Sequence, residues 1–133
     1  MASKLRTVRT RKADAGTTAQ QIEIGPHRMV TDAGPNDGGE DLGADPHELL
    51  DASLAACTAL TLTLYARRKG IELIALEVEV DHEESDGVYR MRRAIHVNAE
   101  ITAAQRARML EIANKCPVHR TLSGSFVIIS RID

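Results

Sequence analysis

Two cysteines are the residues in this 133-residue sequence whose side chains could most readily carry out a reaction. Cys57 and Cys116 lie 59 residues apart in the chain. If their sulfurs meet in the fold, the thiolate of one can be oxidised to a sulfenic acid, which the other captures as a disulfide. Cys116, which precedes Pro117, is predicted at the end of a helix, where its sulfur can be exposed. Cys57, taken alone, fits better as a small apolar residue in a helix core.

Such thiol chemistry requires a cation beside the reacting sulfur. Arg28, Arg9 and Arg11 are the candidates, because a guanidinium is always charged and can both lower a thiol pKa and bind a peroxide oxygen. The same arginines could equally be solvated residues of surface strands. A zinc site is the weaker interpretation, since one Cys-x-x-His motif at 116–119 has no Cys-x-x-Cys pair to complete it.

Glu48 is a further candidate, although it also has a structural explanation. In Asp45-Pro46-His47-Glu48, it is placed to complete a helix capping box with Asp45. Nine residues separate Glu48 from Cys57, which places them on opposite sides of one straight helix and about 13 Å apart along its axis. They cannot meet within one chain. If both serve one site, two subunits must contribute to it, or Glu48 must act at longer range.

The helix that carries both residues is predicted from Asp45, its N-cap, to the basic end at Arg67-Arg68-Lys69-Gly70. Residues 52–64 contain no charge. A helix that is apolar on nearly every side needs protein around it, and one small domain can hardly supply that cover. The sequence therefore predicts a partner subunit.

The other elements are predicted from alternation, turn residues and caps. They are a hairpin within 3–32, a loop over 32–45, a hairpin from Leu73–Val80 through a turn at 83–87 to residues 88–99, a helix opened by a Thr102–Gln105 capping box and ended by Pro117, and a last strand Phe126–Ile132. The order ββαββαβ indicates an α+β fold.

Length and composition limit the possible functions. The chain fits one domain over 1–133, and its 43% hydrophobic content is that of a folded protein. A net charge of −2 and an aromatic content of 2% disfavour nucleic-acid binding. We expect no secretory signal, no membrane span and a cytoplasmic location, since the first residues are polar and no stretch looks apolar enough to span a bilayer.

At these residues the sequence resembles the OsmC/Ohr family of thiol peroxidases, over almost its whole length. The block from Pro46 to Cys57 is the specific part of the resemblance. The segments that carry it are Gly25-Pro26-His27-Arg28-Met29-Val30-Thr31-Asp32, Gly38-Gly39, Gly43-Ala44-Asp45-Pro46-His47-Glu48-Leu49-Leu50, Leu54-Ala55-Ala56-Cys57-Thr58 and Asn114-Lys115-Cys116-Pro117.

The resemblance implies an OsmC-like α+β fold, in which antiparallel sheets wrap around two long central helices in an intertwined homodimer. It further implies that Cys57 is the peroxidatic cysteine and Cys116 the resolving one. An arginine, for which Arg28 is favoured, would activate Cys57, and a dithiol such as a lipoyl group would reduce the disulfide. The implied substrate is an organic hydroperoxide in an aliphatic pocket, and no metal or organic cofactor is implied.

One position departs from the family pattern. Members with hydroperoxide reductase activity carry a glutamate directly after the motif proline, and this chain has His47 there. Glu48, one residue later, matches the redox-protein branch of the family instead. This departure keeps open an alternative function, in which a dimeric stress protein binds a small apolar ligand on the same scaffold without catalysis.

Overall fold

The computed structural model describes residues 6–133 and has an α+β fold. The chain forms two compact units, one ending at Leu50 and the other spanning Asp51–Asp133. The prediction of a single domain over 1–133 stays a prediction. Residues 3–5 of the predicted first hairpin lie outside the described residues.

The first unit contains a three-stranded antiparallel sheet rather than the predicted hairpin. Its strands, in spatial order, are β1 (Val8–Lys12), β2 (Gln20–Ile24) and β3 (His27–Thr31). The alternation of apolar and polar residues alone does not indicate where β2 ends and β3 begins. A turn at Gly25-Pro26 separates the two strands, because Gly25 adopts a φ of 57°, which glycine reaches at no steric cost.

The predicted loop over 32–45 is confirmed as irregular, apart from one 3₁₀ turn at Pro35–Asp37. A single buried carboxylate, that of Asp32, holds this loop closed, since only 3% of the residue is exposed. It accepts hydrogen bonds from the hydroxyl of Thr18 and from the backbone N–H groups of Ala33, Glu40 and Leu42.

Two glycines of this loop offer a matched test of its packing. A Cβ atom at Gly39 would lie 2.0 Å from the carbonyl oxygen of Ala33, whereas one at Gly34 would meet nothing within 4 Å. We expect Gly39→Ala to lower the free energy of unfolding by about 1–3 kcal/mol, and Gly34→Ala to leave it unchanged or slightly raised. Thermal unfolding of both variants measures this, and equal effects would contradict the described loop.

The long helix α1 (Pro46–Lys69) is confirmed with both predicted ends. At its start, Glu48 N–H donates to Asp45 Oδ1 and Asp45 N–H donates to Glu48 Oε1, each at 2.9 Å, which completes the capping box. At its end, Gly70 adopts a φ of 68° and Ile71 N–H donates to the carbonyl of Ala66 at 2.9 Å. This arrangement is the hydrogen-bonding pattern of a glycine C-terminal cap.

The expectation that no segment is long and apolar enough to span a membrane is wrong, because α1 meets both criteria. The helix has 24 residues and a mean hydropathy of 1.5 over its most apolar window. Core helices of globular proteins share these properties, and Leu62 of α1 is fully buried within the second unit. On the same helix, Leu60 and Leu64 remain 55% and 40% exposed.

In the second unit, strands β4 (Ala75–Ser85) and β5 (Val88–Asn98) form one antiparallel hairpin. The strand pairing extends into residues 83–85, which were predicted as part of the turn, and the turn itself is the two residues Asp86-Gly87. Their φ angles of 53° and 73° match the twist of a hairpin. The helix α2 (Ala103–Ala113) begins with the predicted capping box. Side chains from α1 and α2 form the main buried cluster, namely Leu62, Tyr65, Met109 and Ala113.

The end of the chain differs from prediction in two ways. A short helix, α3 (Pro117–Leu122), follows Cys116 and was not predicted. Residues 126–132 form no strand in the described chain, so the predicted last strand is wrong for the single chain. Val127, Ile128 and Ile129 are 85–92% exposed. A strand needs a neighbouring strand for its backbone hydrogen bonds, and this segment pairs with none among residues 6–133.

Candidate thiol site

Cys57 and Cys116, far apart in sequence, lie in one buried cluster. Cys57 of α1 is 5% exposed and Cys116, just before α3, is 0% exposed, and both are free thiols. Leu54 completes the buried cluster, and four partly buried apolar residues pack around it, namely Val80, Met91, Val118 and Leu122. The expectation that the sulfur of Cys116 can be exposed at a helix end is wrong, because the chain continues into α3 and Cys116, its N-cap, is fully buried.

The first turn of α3 donates a backbone hydrogen bond to each sulfur. Cys116 is the N-cap of α3, and its Sγ accepts from the N–H of His119 at 3.4 Å. The N–H of Val118 donates to Cys57 Sγ at 3.5 Å. Pro117 occupies the first helical position, which needs no N–H. The pair Cys116-Pro117 is thus the sequence signal that could have predicted α3.

The environment raises the pKa of the Cys57 thiol above its ordinary value. Burial is the largest cause, because it disfavours the charged thiolate, and the neighbouring Cys116 acts in the same direction. The N–H of Val118 opposes them by stabilising the thiolate. The direction is the opposite of the lowered pKa that an activating arginine would produce.

An arginine that sequence reasoning missed lies beside this cluster. Arg93 of β5 donates to Thr58 Oγ1 at 3.0 Å and to Asn114 Oδ1 at 2.8 Å. Thr58 follows Cys57 on α1, and its Oγ1 is 3.9 Å from Cys116 Sγ. A signal for Arg93 was available, because it alternates with Met91 and Ile95 on the covered face of the hairpin, where a charge is unusual.

A cleft of about 270 Å³ adjoins the thiol cluster. Its lining combines apolar side chains with polar ones, namely Leu54, Tyr89, Met91, Arg93, His119, Leu122 and Ser123. The pKa of His119 is lowered, first by burial and then by the charge of Arg93, which favours the neutral imidazole. The cleft can therefore take a small molecule with an apolar part and a hydrogen-bonding end.

A hydrogen-bonded network fixes one wall of this cleft. The phenol of Tyr89 donates to Asp51 Oδ1 at 2.8 Å, and His82 Nδ1 lies 2.5 Å from Asp51 Oδ2. The rings of His82 and Tyr89 stack with their centroids 4.5 Å apart. Because Asp51 itself is 8% exposed, this network gives the Tyr89 ring a fixed position.

The family of the chain follows from a comparison of its sequence with known families. Residues 38–130, more than two thirds of the chain, match the family described as OsmC-like protein. The chain belongs to the OsmC-like family. None of the curated proteins matches this sequence.

Solved structures agree with an OsmC-like fold. One, named as an osmotic stress induced and detoxification response protein of Psychrobacter arcticus, has a TM-score of 0.77 and 21% identity, with 90% of each chain covered. An OsmC-like protein of Mycoplasma pneumoniae has a TM-score of 0.75 and 22% identity, covering 92% of this chain and 90% of its own. An organic hydroperoxide resistance protein of Legionella pneumophila has a TM-score of 0.67 and 16% identity, with 93% of each chain covered.

The remaining predicted site residues of this OsmC-like protein lie in its first unit. Arg28 is exposed on β3, opposite Glu23 of β2, and Arg9 is exposed on β1. Arg11 forms an ion pair with Glu23 at 3.5 Å. The capping role of Glu48 is confirmed, whereas the catalytic roles of Glu48 and Arg28 stay predictions. Within residues 6–133, no group of three or more His, Cys, Asp or Glu side chains is placed to hold a metal ion.

Proposed function

We propose that this protein is a cysteine-based peroxidase that reduces organic hydroperoxides. The observation that carries the proposal is the burial of Cys57 and Cys116 in one cluster, beneath a helix turn that donates a backbone hydrogen bond to each sulfur. The adjoining cleft supplies an apolar surface for the carbon chain of the substrate. Membership of a family with structures named organic hydroperoxide resistance proteins supports the same reaction class.

The proposed reaction has two chemical steps. The Cys57 thiolate attacks the outer oxygen of the hydroperoxide, so that an S–O bond forms, the O–O bond breaks and an alcohol leaves with one proton. Cys116 then attacks the sulfenic sulfur, forming the disulfide and releasing water. A dithiol of the lipoyl type returns both cysteines to thiols by disulfide exchange.

Titration with cumene hydroperoxide tests the proposal directly. One equivalent added to the reduced protein should consume both free thiols and produce one intrachain disulfide, seen as a loss of two hydrogens by intact mass. A protein that keeps two free thiols after this treatment would contradict the peroxidase function.

We further propose that the protein acts as a homodimer in the cytoplasm. Apolar side chains exposed in the single chain support a dimer, namely Leu60 and Leu64 of α1 and Val127, Ile128 and Ile129 of the C-terminal segment. Leaving such a surface in water is unfavourable, and a second copy can bury it. Two free, buried cysteines are compatible with a reducing compartment.

In this proposal Arg28 offsets the effect of burial on Cys57, and Glu48 holds the arginine. We expect Cys57 alkylation by iodoacetamide to proceed at mildly acidic pH in the native protein and to need alkaline pH in Arg28→Ala, because the thiolate then lacks a counter-charge. Peptide mapping across a pH series measures the midpoint for each cysteine. Arg9→Ala and Arg11→Ala are the matched controls, and a midpoint that moves only in one of them would assign the role to that arginine instead.

The alternative, ligand binding without turnover, is favoured by a second and more apolar cleft of about 390 Å³ on the hairpin and α2. Its lining is Arg93, Ile95, Val97, Ala103, Arg106, Ala107, Met109 and Leu110. A ligand-binding protein of this kind would bind an apolar fluorescent probe such as anilinonaphthalene sulfonate stoichiometrically while its thiols survive cumene hydroperoxide. The thiol titration therefore separates the two functions.

A further inference from the structure

The guanidinium of Arg93 is held by three hydrogen-bond acceptors from two elements. It donates to Thr58 Oγ1 at 3.0 Å, to the carbonyl of Ala113 at 3.4 Å and to Asn114 Oδ1 at 2.8 Å. Within residues 6–133, no carboxylate lies within ion-pair distance of it. Its neighbour Arg92 is paired with Asp81 at 2.8 Å on the exposed face of the hairpin. The positive charge of Arg93 is therefore not neutralised by an acidic partner.

Thr58 connects this charge to Cys116. The hydroxyl of Thr58 is 0% exposed and donates to the carbonyl of Leu54 at 2.7 Å. It accepts from Arg93, and its Oγ1 is 3.9 Å from Cys116 Sγ. A hydroxyl has one proton and two acceptor positions, so Thr58 can accept from the thiol of Cys116 or turn its proton toward the thiolate. A hydroxyl polarised by a guanidinium is a stronger donor to that thiolate.

Arg93 also holds the segment that leads to Cys116. Its contacts to Ala113 and Asn114 fix the end of α2, two residues before the cysteine. The N–H of His119 donates to Cys116 Sγ from the other side. The Cys116 sulfur thus lies between the end of α2, which Arg93 holds, the hydroxyl of Thr58 on α1 and the first turn of α3.

We propose that Arg93 and Thr58 are positioning residues for Cys116, which hold its sulfur in place and stabilise its thiolate for attack on the Cys57 sulfenic acid. The inference rests on the proposed function and adds to it a mechanism for the second step. In that step the S–S bond forms, the S–O bond of Cys57 breaks, and the hydroxide that leaves takes the proton lost by Cys116. The hydroperoxide already named is the only oxidant needed.

The test measures the pH dependence of Cys116 alkylation without peroxide, in a Cys57→Ser background. Thr58→Val removes the hydroxyl at almost constant volume, and Thr58→Ser restores it. We expect Thr58→Val and Arg93→Gln to raise the alkylation midpoint and to slow modification at neutral pH about tenfold, the effect of one charge-assisted hydrogen bond. Thr58→Ser should return it toward the original value, which a purely structural role of Thr58 would not require.

Two matched controls lie close by. Thr63 makes the same hydroxyl-to-carbonyl hydrogen bond on the exposed side of α1, and Arg92 is adjacent to Arg93 on the other face of β5. Thr63→Val and Arg92→Gln should leave the midpoint unchanged. The other titratable or charged groups beside Cys116 include Cys57 on α1, which the background removes, Lys115, which directly precedes it, and His119 on α3, whose N–H donates to its sulfur. His119→Gln is measured alongside to subtract the titration of the imidazole.

The outcomes separate this inference from the peroxidase function. Because alkylation needs no hydroperoxide, a raised midpoint in Thr58→Val supports the role of the pair even if the native protein fails to reduce cumene hydroperoxide. An unchanged midpoint in Thr58→Val, with a native circular dichroism spectrum, would overturn the inference even if peroxide is reduced. In the two-cysteine protein, Thr58→Val should also let dimedone trap more Cys57 sulfenic acid per turnover.

Discussion

Cys57→Ser is expected to abolish consumption of even the first equivalent of organic hydroperoxide, whereas Cys116→Ser should still consume one equivalent. The reason is the order of the proposed steps, in which only Cys57 reacts with peroxide and Cys116 reacts with the product. Cys116→Ser should therefore accumulate a Cys57 sulfenic acid and lose turnover with a dithiol to near background. Peroxide consumption over single and multiple turnovers, with dimedone labelling, measures both effects.

The serine at position 116 is a suitable replacement for structural reasons. A serine oxygen can accept from the N–H of His119 as the present sulfur does, since serine is a favoured N-cap residue. The start of α3 should therefore persist. Equal loss of the first equivalent in both variants would contradict the division of roles, and full turnover in Cys116→Ser would show that an external thiol resolves the sulfenic acid.

Deletion of residues 126–133 is expected to convert a homodimer into monomers. The segment exposes Val127, Ile128 and Ile129 almost completely, and it has strand-forming residues without a strand partner. Burial of three such side chains is worth about 5 kcal/mol or more, which corresponds to more than a thousandfold in Kd. Light scattering at micromolar concentration should give twice 14.5 kDa for the full chain, and after deletion the mass of one chain shortened by eight residues.

Arg131→Gln is the control for this experiment, because Arg131 lies in the same segment, is 86% exposed and pairs only loosely with Asp133, at 3.7 Å. It should leave the dimer intact. A dimer that survives the deletion would assign the interface to the exposed leucines of α1, Leu60 and Leu64. A stable monomer of the full chain would contradict the dimer itself.

Sequence patterns predicted best those elements whose signals are local. The ends of α1 were predictable because Asp45, Glu48 and Gly70 act on backbone groups within one turn of themselves. The capping box at Thr102 and Gln105 predicted the start of α2 for the same reason. The sequence could support the proximity of Cys57 and Cys116 only as a condition, because no local pattern connects residues that lie 59 positions apart.

The features that the sequence did not predict depend on tertiary contacts between residues far apart in the chain. The β-branched residues of 126–132 favour a strand by propensity, yet in the single chain this segment pairs with no strand among residues 6–133. Burial raises the pKa of Cys57 in the single chain, and α3, which was not predicted, helps to bury the thiol. Arg93 was missed because only the apolar residues of β5 were considered, although Arg93 alternates with them on the same, partly buried face.

The closed loop after β3 determines how the first unit responds to acid. The hydroxyl of Thr18, followed by three backbone N–H groups, holds the pKa of Asp32 below its ordinary value of 3.8 despite the opposing effect of burial. The carboxylate therefore contributes stability that is fully present above the unfolded pKa and is lost only as the pH falls through the lower folded value. Across the mildly acidic range the loop should stay closed, so a change in peroxide reactivity there should not arise from release of this loop.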